Sequence, residues 1–290
     1  MKKDLPIFTD WNDAYDNAGH IDGAREYPPR WNALAWSFRE EMSAAGRAEL
    51  DLVYGTGPRN KLDLFLPAAQ STAQPHVPPK GLAVFVHGGF WKAFDKSSWS
   101  HLARGAVEQG WAVCLPSYSL APDARISVMT QEIAAAIACA AEKISGPLHL
   151  AGHSAGGHLV SRMVCADSPL PPAIRQRLGH VLSISGLHDL RPLLHADMNQ
   201  ILQLDEAEAT AESAALQRPL ETCPLTCWVG AEERPAFLLQ NDLLATVWAG
   251  LGQPTSIVHD AGKHHFNVID ALADPRSELT RCFLGKRSGT

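Results

Sequence analysis

The chain has 290 residues, 46% of them hydrophobic, with 25 basic and 31 acidic side chains and a formal charge of −6. That is enough apolar material to bury a full core, in a length that one α/β domain with insertions occupies. The modest charge, spread along the chain, excludes a basic stripe for nucleic acid and a polybasic block for an anionic membrane surface.

The N-terminal Met1-Lys2-Lys3-Asp4-Leu5-Pro6 leads into polar and aromatic residues, which argues against a secretory signal. The longest apolar runs, near 133–141, have core-helix length and fall short of a membrane span. The expected compartment is the cytoplasm. Residues 1–45, rich in Trp, Tyr, Asn and Asp, predict one helix around 31–45 and form a segment that could cover a site.

Glu49–Tyr54 and Lys61–Leu66 alternate in polarity around Gly55-Thr56-Gly57-Pro58, the pattern of an antiparallel hairpin with one face buried. Residues 67–80 read as a surface loop. From residue 81 short continuous apolar runs take over, the mark of strands buried on both faces: 82–86, 111–115, 147–151, 181–185, 225–229 and 255–258. Helices are expected near 98–109, 126–144, 155–166, 236–251 and 266–273. In the second, Ile126, Met129, Ile133, Ile137 and Ala140 recur at spacings of three and four. The predicted class is α/β: an eight-stranded, mostly parallel sheet with an N-terminal antiparallel hairpin and helices on both faces. The whole chain, 1–290, reads as a single domain, with 187–222 long enough for an inserted helical cap.

Cys114, Cys139, Cys165, Cys223, Cys227 and Cys282 lie mostly in apolar segments without a Cys-x-x-Cys pair, as buried free thiols would. Cys223 and Cys227 are expected on one face of a strand. Among 13 histidines there is no His-Glu-x-x-His, and the pairs His153/His158 and His264/His265 lack metal-ligand spacing with carboxylates, so no metal is expected.

The strongest chemical signal is Gly152-His153-Ser154-Ala155-Gly156, entered from an apolar strand and left into an apolar helix. A serine on such a sharp turn projects its hydroxyl clear of the sheet beside a helix N-terminus, and the flanking positions are too crowded for side chains. Ser154 is the expected nucleophile of an α/β-hydrolase fold. The Ala155 amide faces the developing oxyanion, together with Gly88 and Gly89 of His87-Gly88-Gly89-Phe90-Trp91, where glycine lets the main chain approach. His87 is expected to orient that loop, and Phe90 and Trp91 to wall the substrate pocket.

The base should follow the last strand, in Asp260-Ala261-Gly262-Lys263-His264-His265-Phe266; His265, placed by a helix start, is preferred, with His264 on the rim. The acid should follow the strand ending at Gly230. There Glu233 is preferred over Glu232, with Asp260 a weaker rival.

These segments resemble the kynurenine formamidase (arylformamidase) branch of the hormone-sensitive-lipase-like hydrolases, from about residue 47 onward. The resemblance rests on His87–Trp91, Ser117–Pro122 with Arg125–Ser127, Gly152–Leu159, Ile184–Leu193, Glu233–Phe237 with Gln240, and His265-Phe266. It implies hydrolysis of N-formyl-L-kynurenine to kynurenine and formate without metal or cofactor. The chain departs from the family in having Phe90 for the usual Tyr, Glu233 for the usual Asp, and Ser119 where Asp or Arg is common. The expected partner is a small-molecule substrate, with no nucleic acid or membrane, and a homodimer is compatible with the resemblance. A carboxylesterase for short acyl esters is the second reading, and a non-catalytic ligand-binding protein on the same fold is the third.

Overall fold

A computed structural model describes residues 6–68, 78–220 and 223–286. The loop expected over 67–80 falls, for 69–77, outside the described residues. Helices α1 (Trp11–Tyr15) and α2 (Tyr27–Ala44) precede strands β1 (Ala48–Val53) and β2 (Lys61–Phe65). Then come β3 (Leu82–Val86), α3 (Arg104–Glu108), β4 (Ala112–Pro116), α4 (Ile126–Lys143), β5 (Leu148–His153) and α5 (Ala155–Arg162). The chain continues through α6 (Pro172–Arg175), β6 (Leu178–Ile184), α7 (Asn199–Leu202), α8 (Glu206–Glu212), β7 (Leu225–Gly230), α9 (Pro235–Gly250), β8 (Thr255–Asp260) and α10 (Glu278–Phe283).

The eight strands form one sheet in the order β1-β2-β4-β3-β5-β6-β7-β8. Strand β2 runs antiparallel to both its neighbours, and the pairings from β4 to β8 are parallel. The continuous apolar runs have the predicted cause. In β3, Leu82, Val84 and Val86 join Ile133 and Ile137 of α4 and Leu159 of α5 on one face. Ala83 and Phe85 join Phe38 of α2, Ala106 of α3 and Phe283 of α10 on the other. Alternate side chains of one strand thus serve two cores.

Several boundaries differ from expectation. Residues 98–109 are not one helix but 3-10 turns at Lys96–Ser98 and Ser100–Ala103 leading into α3. Trp99 leaves helical geometry (φ −122°, ψ 3°) and packs its ring, tilted, 4.6 Å from that of Trp31. Instead of a helix over 266–273 there is a turn and a 3-10 segment, Asp270–Ala273. The Asn267 side chain accepts from the His264 amide at 2.8 Å, a local bond that competes with a helical start. The helix expected over 155–166 stops at Arg162, whose guanidinium turns to Asp167 and Glu212. Cys223 lies before β7 rather than in it, separated by Pro224, which has no N–H to offer a ladder.

Cys114, Cys165, Cys223 and Cys227 are buried, and Cys139 and Cys282 half-buried. Burial pushes the thiols of Cys165 and Cys223 up to about 12 and that of Cys282 to about 11, far from a reactive thiolate. Among the described residues no helix is long and apolar enough to cross a membrane.

Buried histidines give the fold a pH dependence. Burial lowers His87, His101, His149 and His180 to about 4, and His158 and His188 to about 3. Their folded values lie below the unfolded value near 6.5, so below that pH the unfolded chain binds more protons. Their contribution is fully present above pH 6.5 and drains as pH falls toward 4, by up to about 1.4 kcal/mol per pH unit for each. The thermal unfolding midpoint should therefore be nearly flat from pH 8 to 7 and fall steeply below 6.5. A midpoint unchanged down to pH 5 would contradict this account.

Candidate active site

Ser154 occupies the single step between β5 and α5, with φ 56° and ψ −118°. A left-handed backbone at a residue with a Cβ costs about 1–3 kcal/mol and persists only where its surroundings hold it. Here the Ser154 amide donates to the Ile184 carbonyl at 2.8 Å, and its own carbonyl accepts from His158 at 3.1 Å. Neighbouring strands come so near that a Cβ on Gly156 would sit 2.0 Å from the Val86 carbonyl oxygen. That contact fixes the spacing of the turn. The loop after β3 lies against the serine, since a Cβ on Gly88 would stand 2.9 Å from the Ser154 Cβ. Ala155 opens α5, so its amide belongs to a helix N-terminus.

His265 and Glu233 meet across the ends of β7 and β8. The imidazole Nδ1 is 2.6 Å from Glu233 Oε2, and the two side chains are 5% and 0% exposed. The other carboxylate oxygen, Oε1, accepts from Ser185 Oγ at 2.5 Å and from the Gly230 amide at 2.9 Å. Such donors compensate a buried charge that would otherwise be costly to hold. The ring of His265 is flanked by Phe237 at 4.4 Å and His153 at 4.6 Å between centroids. His153 Nε2 also donates to the His265 carbonyl at 2.9 Å. Burial, and then the neighbouring His265, push His153 well below its usual pKa, so this donor is a neutral imidazole.

The alternatives are engaged elsewhere. The His264 amide is capped by Asn267, its Nδ1 accepts from the Phe266 amide at 3.2 Å, and its Nε2 lies 3.1 Å from the Tyr27 hydroxyl. Glu232 is exposed, and Asp260 accepts from the Trp228 indole at 3.1 Å. His265 is not placed by a helix start, which is absent, but by the His153 bond and its ring neighbours. His87 donates through Nδ1 to the Gly88 carbonyl at 2.8 Å and stacks on Tyr118 at 4.5 Å, whose hydroxyl donates to the His87 carbonyl.

Ser154 and His265 line one cavity of about 240 Å³. Gly89 and Phe90 belong to its wall, whereas Trp91 does not. Trp91 is fully buried, edge-on to His158 at 5.1 Å, so its place beside Phe90 in the sequence does not put it beside Phe90 in the pocket. Much of the remaining wall comes from the N-terminal segment, through Tyr15, Asn17, Pro28 and Trp31. This segment is pinned to the site's rim: Asp13 pairs with Arg234, and the Tyr15 hydroxyl accepts from Gln240 at 3.2 Å. The described residues of 187–222 contain short helices, and none of those residues lines this cavity. It is held on the flank instead, where Glu208 binds Arg125 and Ser127, and Glu212 binds Thr130 and Arg162.

Ser185 and His153 were given no catalytic role by the sequence, whereas the N-terminal segment was expected to cover a site without its lining residues being named. Ser185 sat within a recognised motif, but its partner is 48 residues away. Its left-handed backbone (φ 52°) is the structural signal.

The family described as Alpha/beta hydrolase matches residues 83–283. The chain is 29% identical over 253 residues to kynurenine formamidase of Danio rerio, covering 84% of each protein. It is 26% identical over 259 residues to kynurenine formamidase of Drosophila melanogaster, covering 84% of this chain and 83% of that one. A crystal structure from a Silicibacter species, described provisionally as a thioesterase, superposes with a TM-score of 0.87 at 49% identity, covering 94% and 98% of the two chains. The chain is thus a hydrolytic enzyme rather than a binding module on the same fold.

Ser185→Ala removes one of two donors to Glu233 Oε1 while leaving the fold's cores untouched. It should lower kcat about 10-fold with KM nearly unchanged, the loss of one hydrogen bond to a charged group. Steady-state kinetics checks this; wild-type kcat in a folded Ser185→Ala protein would count against any role for that contact.

Proposed function

The chain belongs to the alpha/beta hydrolase family, and we propose that within it this enzyme is an arylformamidase, cleaving N-formyl-L-kynurenine to kynurenine and formate. The observation that carries the reading is the cavity at Ser154. Tyr15, Trp31, Phe90, Phe94, Trp99 and Phe266 give it aromatic walls. Its volume lies below the roughly 300 Å³ at which drug-sized pockets begin, which favours one flat ring carrying a very small acyl group. The similarity to kynurenine formamidases over 84% of the chain supports the same substrate.

In this mechanism Ser154 Oγ attacks the formyl carbon and His265 takes the hydroxyl proton. Glu233, bound to His265 Nδ1, holds the tautomer and stabilises the imidazolium. The amides of Gly88, Gly89 and Ala155 receive the oxyanion as the carbonyl becomes tetrahedral. The imidazolium then protonates the departing aryl amine. Water, activated by the same imidazole, releases formate from Ser154. Glutamate in place of the family's usual aspartate is accommodated because Ser185 and the Gly230 amide draw its second oxygen back from the ring. Phe90, where the family usually has tyrosine, supplies wall but no hydroxyl contact.

A carboxylesterase for short acyl esters uses the same machinery. The 49% identical structure, described provisionally as a thioesterase, favours keeping it as the second reading.

The two separate by acyl length. Rates on N-formylkynurenine and its N-acetyl and N-butyryl analogues should fall about 10- to 100-fold per step, the price of forcing extra carbons into a filled pocket. Ser154→Ala should lose about 10³-fold or more on every substrate. A flat profile, with p-nitrophenyl butyrate turned over as fast as the acetate, would transfer the reading to the carboxylesterase.

A further inference from the structure

The cavity wall is aromatic or otherwise apolar except at Ser154, its two histidines and one further group of side chains. Apart from Ser154, His153 and His265, its charged and amide-bearing lining residues are Asp16, Asn17 and Lys92. Asp16 and Asn17 are consecutive on the N-terminal segment, and Lys92 lies on the loop after β3, where its amide donates to the Gly89 carbonyl at 3.1 Å. Two elements far apart in sequence therefore bring an anion, a cation and an amide to one cavity.

None of the three side chains bonds another side chain among the described residues. Asn17 is 4% exposed, yet its Nδ2 has no protein partner. A buried donor left unpaired loses its water without recompense, so such groups in native structures call for an acceptor. Lys92 has neither an ion pair nor a side-chain hydrogen bond among the described residues. The Asp16 carboxylate accepts only from the Gly19 amide, at 2.9 Å, and faces no cation among them. By contrast the neighbouring Asp13 is paired with both Arg234 and His20.

We infer that Asp16, Asn17 and Lys92 form a subsite for the α-amino-acid end of an aromatic substrate. A ligand carboxylate would meet the Lys92 ammonium and the Asn17 Nδ2 donor, and the ammonium on the same carbon would meet Asp16. One charge of each sign on the wall of one cavity suits a zwitterion and disfavours a ligand carrying a single charge, because one protein charge would then be left without a partner. The ring stays among the aromatic walls. The inference deepens the arylformamidase reading and rests on it only in naming which bond lies at Ser154. The subsite itself can be tested by binding alone.

The test uses the full chain carrying Ser154→Ala, so that nothing is turned over, with and without Lys92→Gln or Asp16→Asn. Calorimetry measures binding of kynurenine and of 2-aminoacetophenone, which keeps the ring and ketone but lacks the amino-acid group. Kynurenine should bind about 10-fold or more tightly than the ketone, and each substitution should erase most of that preference while leaving the ketone's affinity within about twofold. Equal binding of the two ligands would overturn the inference. So would substitutions that weaken both ligands alike in proteins of unchanged thermal midpoint. If the preference holds but wild-type enzyme cleaves no aryl formamide, the subsite stands and the arylformamidase reading falls.

Discussion

A carboxylate and an imidazole share a site that water barely reaches, 2.6 Å apart, with Glu233 wholly buried and His265 nearly so. An isolated ionised carboxylate in that position would be strongly unfavourable, and the surrounding backbone is organised to prevent isolation. Gly230 ends β7 and sends its amide to Glu233 Oε1, while the Glu233 amide donates back to the Gly230 carbonyl at 3.1 Å, closing a tight turn. Ser185, just beyond β6, adds its hydroxyl from a left-handed backbone whose amide is tied to the Trp228 carbonyl at 2.7 Å. Three adjacent parallel strands, β6, β7 and β8, thus end together so that Glu233 can face His265.

Ser154 depends on the same sheet, at the end of the neighbouring strand β5. Ser154 is tied to β6 through the Ile184 carbonyl, and His153 reaches from the residue before it to the carbonyl of His265. Ser154 and His265 are therefore linked through main chain and a neutral histidine as well as through the shared cavity. The N-terminal segment closes the arrangement. Tyr15 packs edge-on against Phe237 at 5.9 Å, and Phe237 packs in turn on His265, so the wall that narrows the pocket also braces the imidazole. The same segment is held by Arg234, the residue after Glu233.

The legible parts of this molecule were those whose physics is local. Strands buried on both faces announce themselves as unbroken apolar runs, and their edges moved by only a few residues, as where β6 starts at Leu178 through a register shift opposite Leu148. The turn at Ser154 was legible because strand, glycine, serine, glycine and helix follow one another within a dozen residues. Glu233 and Glu232, side by side, differ only in which way the turn after β7 throws each carboxylate, something residue type does not encode. Ser185 was hidden because a serine's role depends on a partner 48 residues away. Trp91 misled for the opposite reason: adjacency to Phe90 suggested a shared surface, yet its ring lies against His158 in the core. Where a helix was expected after His265, the Asn267 side chain holds the His264 amide in a turn. The N-terminal wall lacked any periodic signal, since its residues are placed by ion pairs and ring contacts with distant elements.

The central claim is that Ser154, His265 and Glu233 act as one unit. The most direct measurement is the rate at which a fluorophosphonate probe acylates the folded protein, with the modified residue mapped by mass spectrometry. The label should fall on Ser154 alone, and Glu233→Gln, which keeps the size but removes the charge, should slow it about 10³-fold at unchanged thermal stability. Labelling at another residue, or an undiminished rate in Glu233→Gln, would contradict the account.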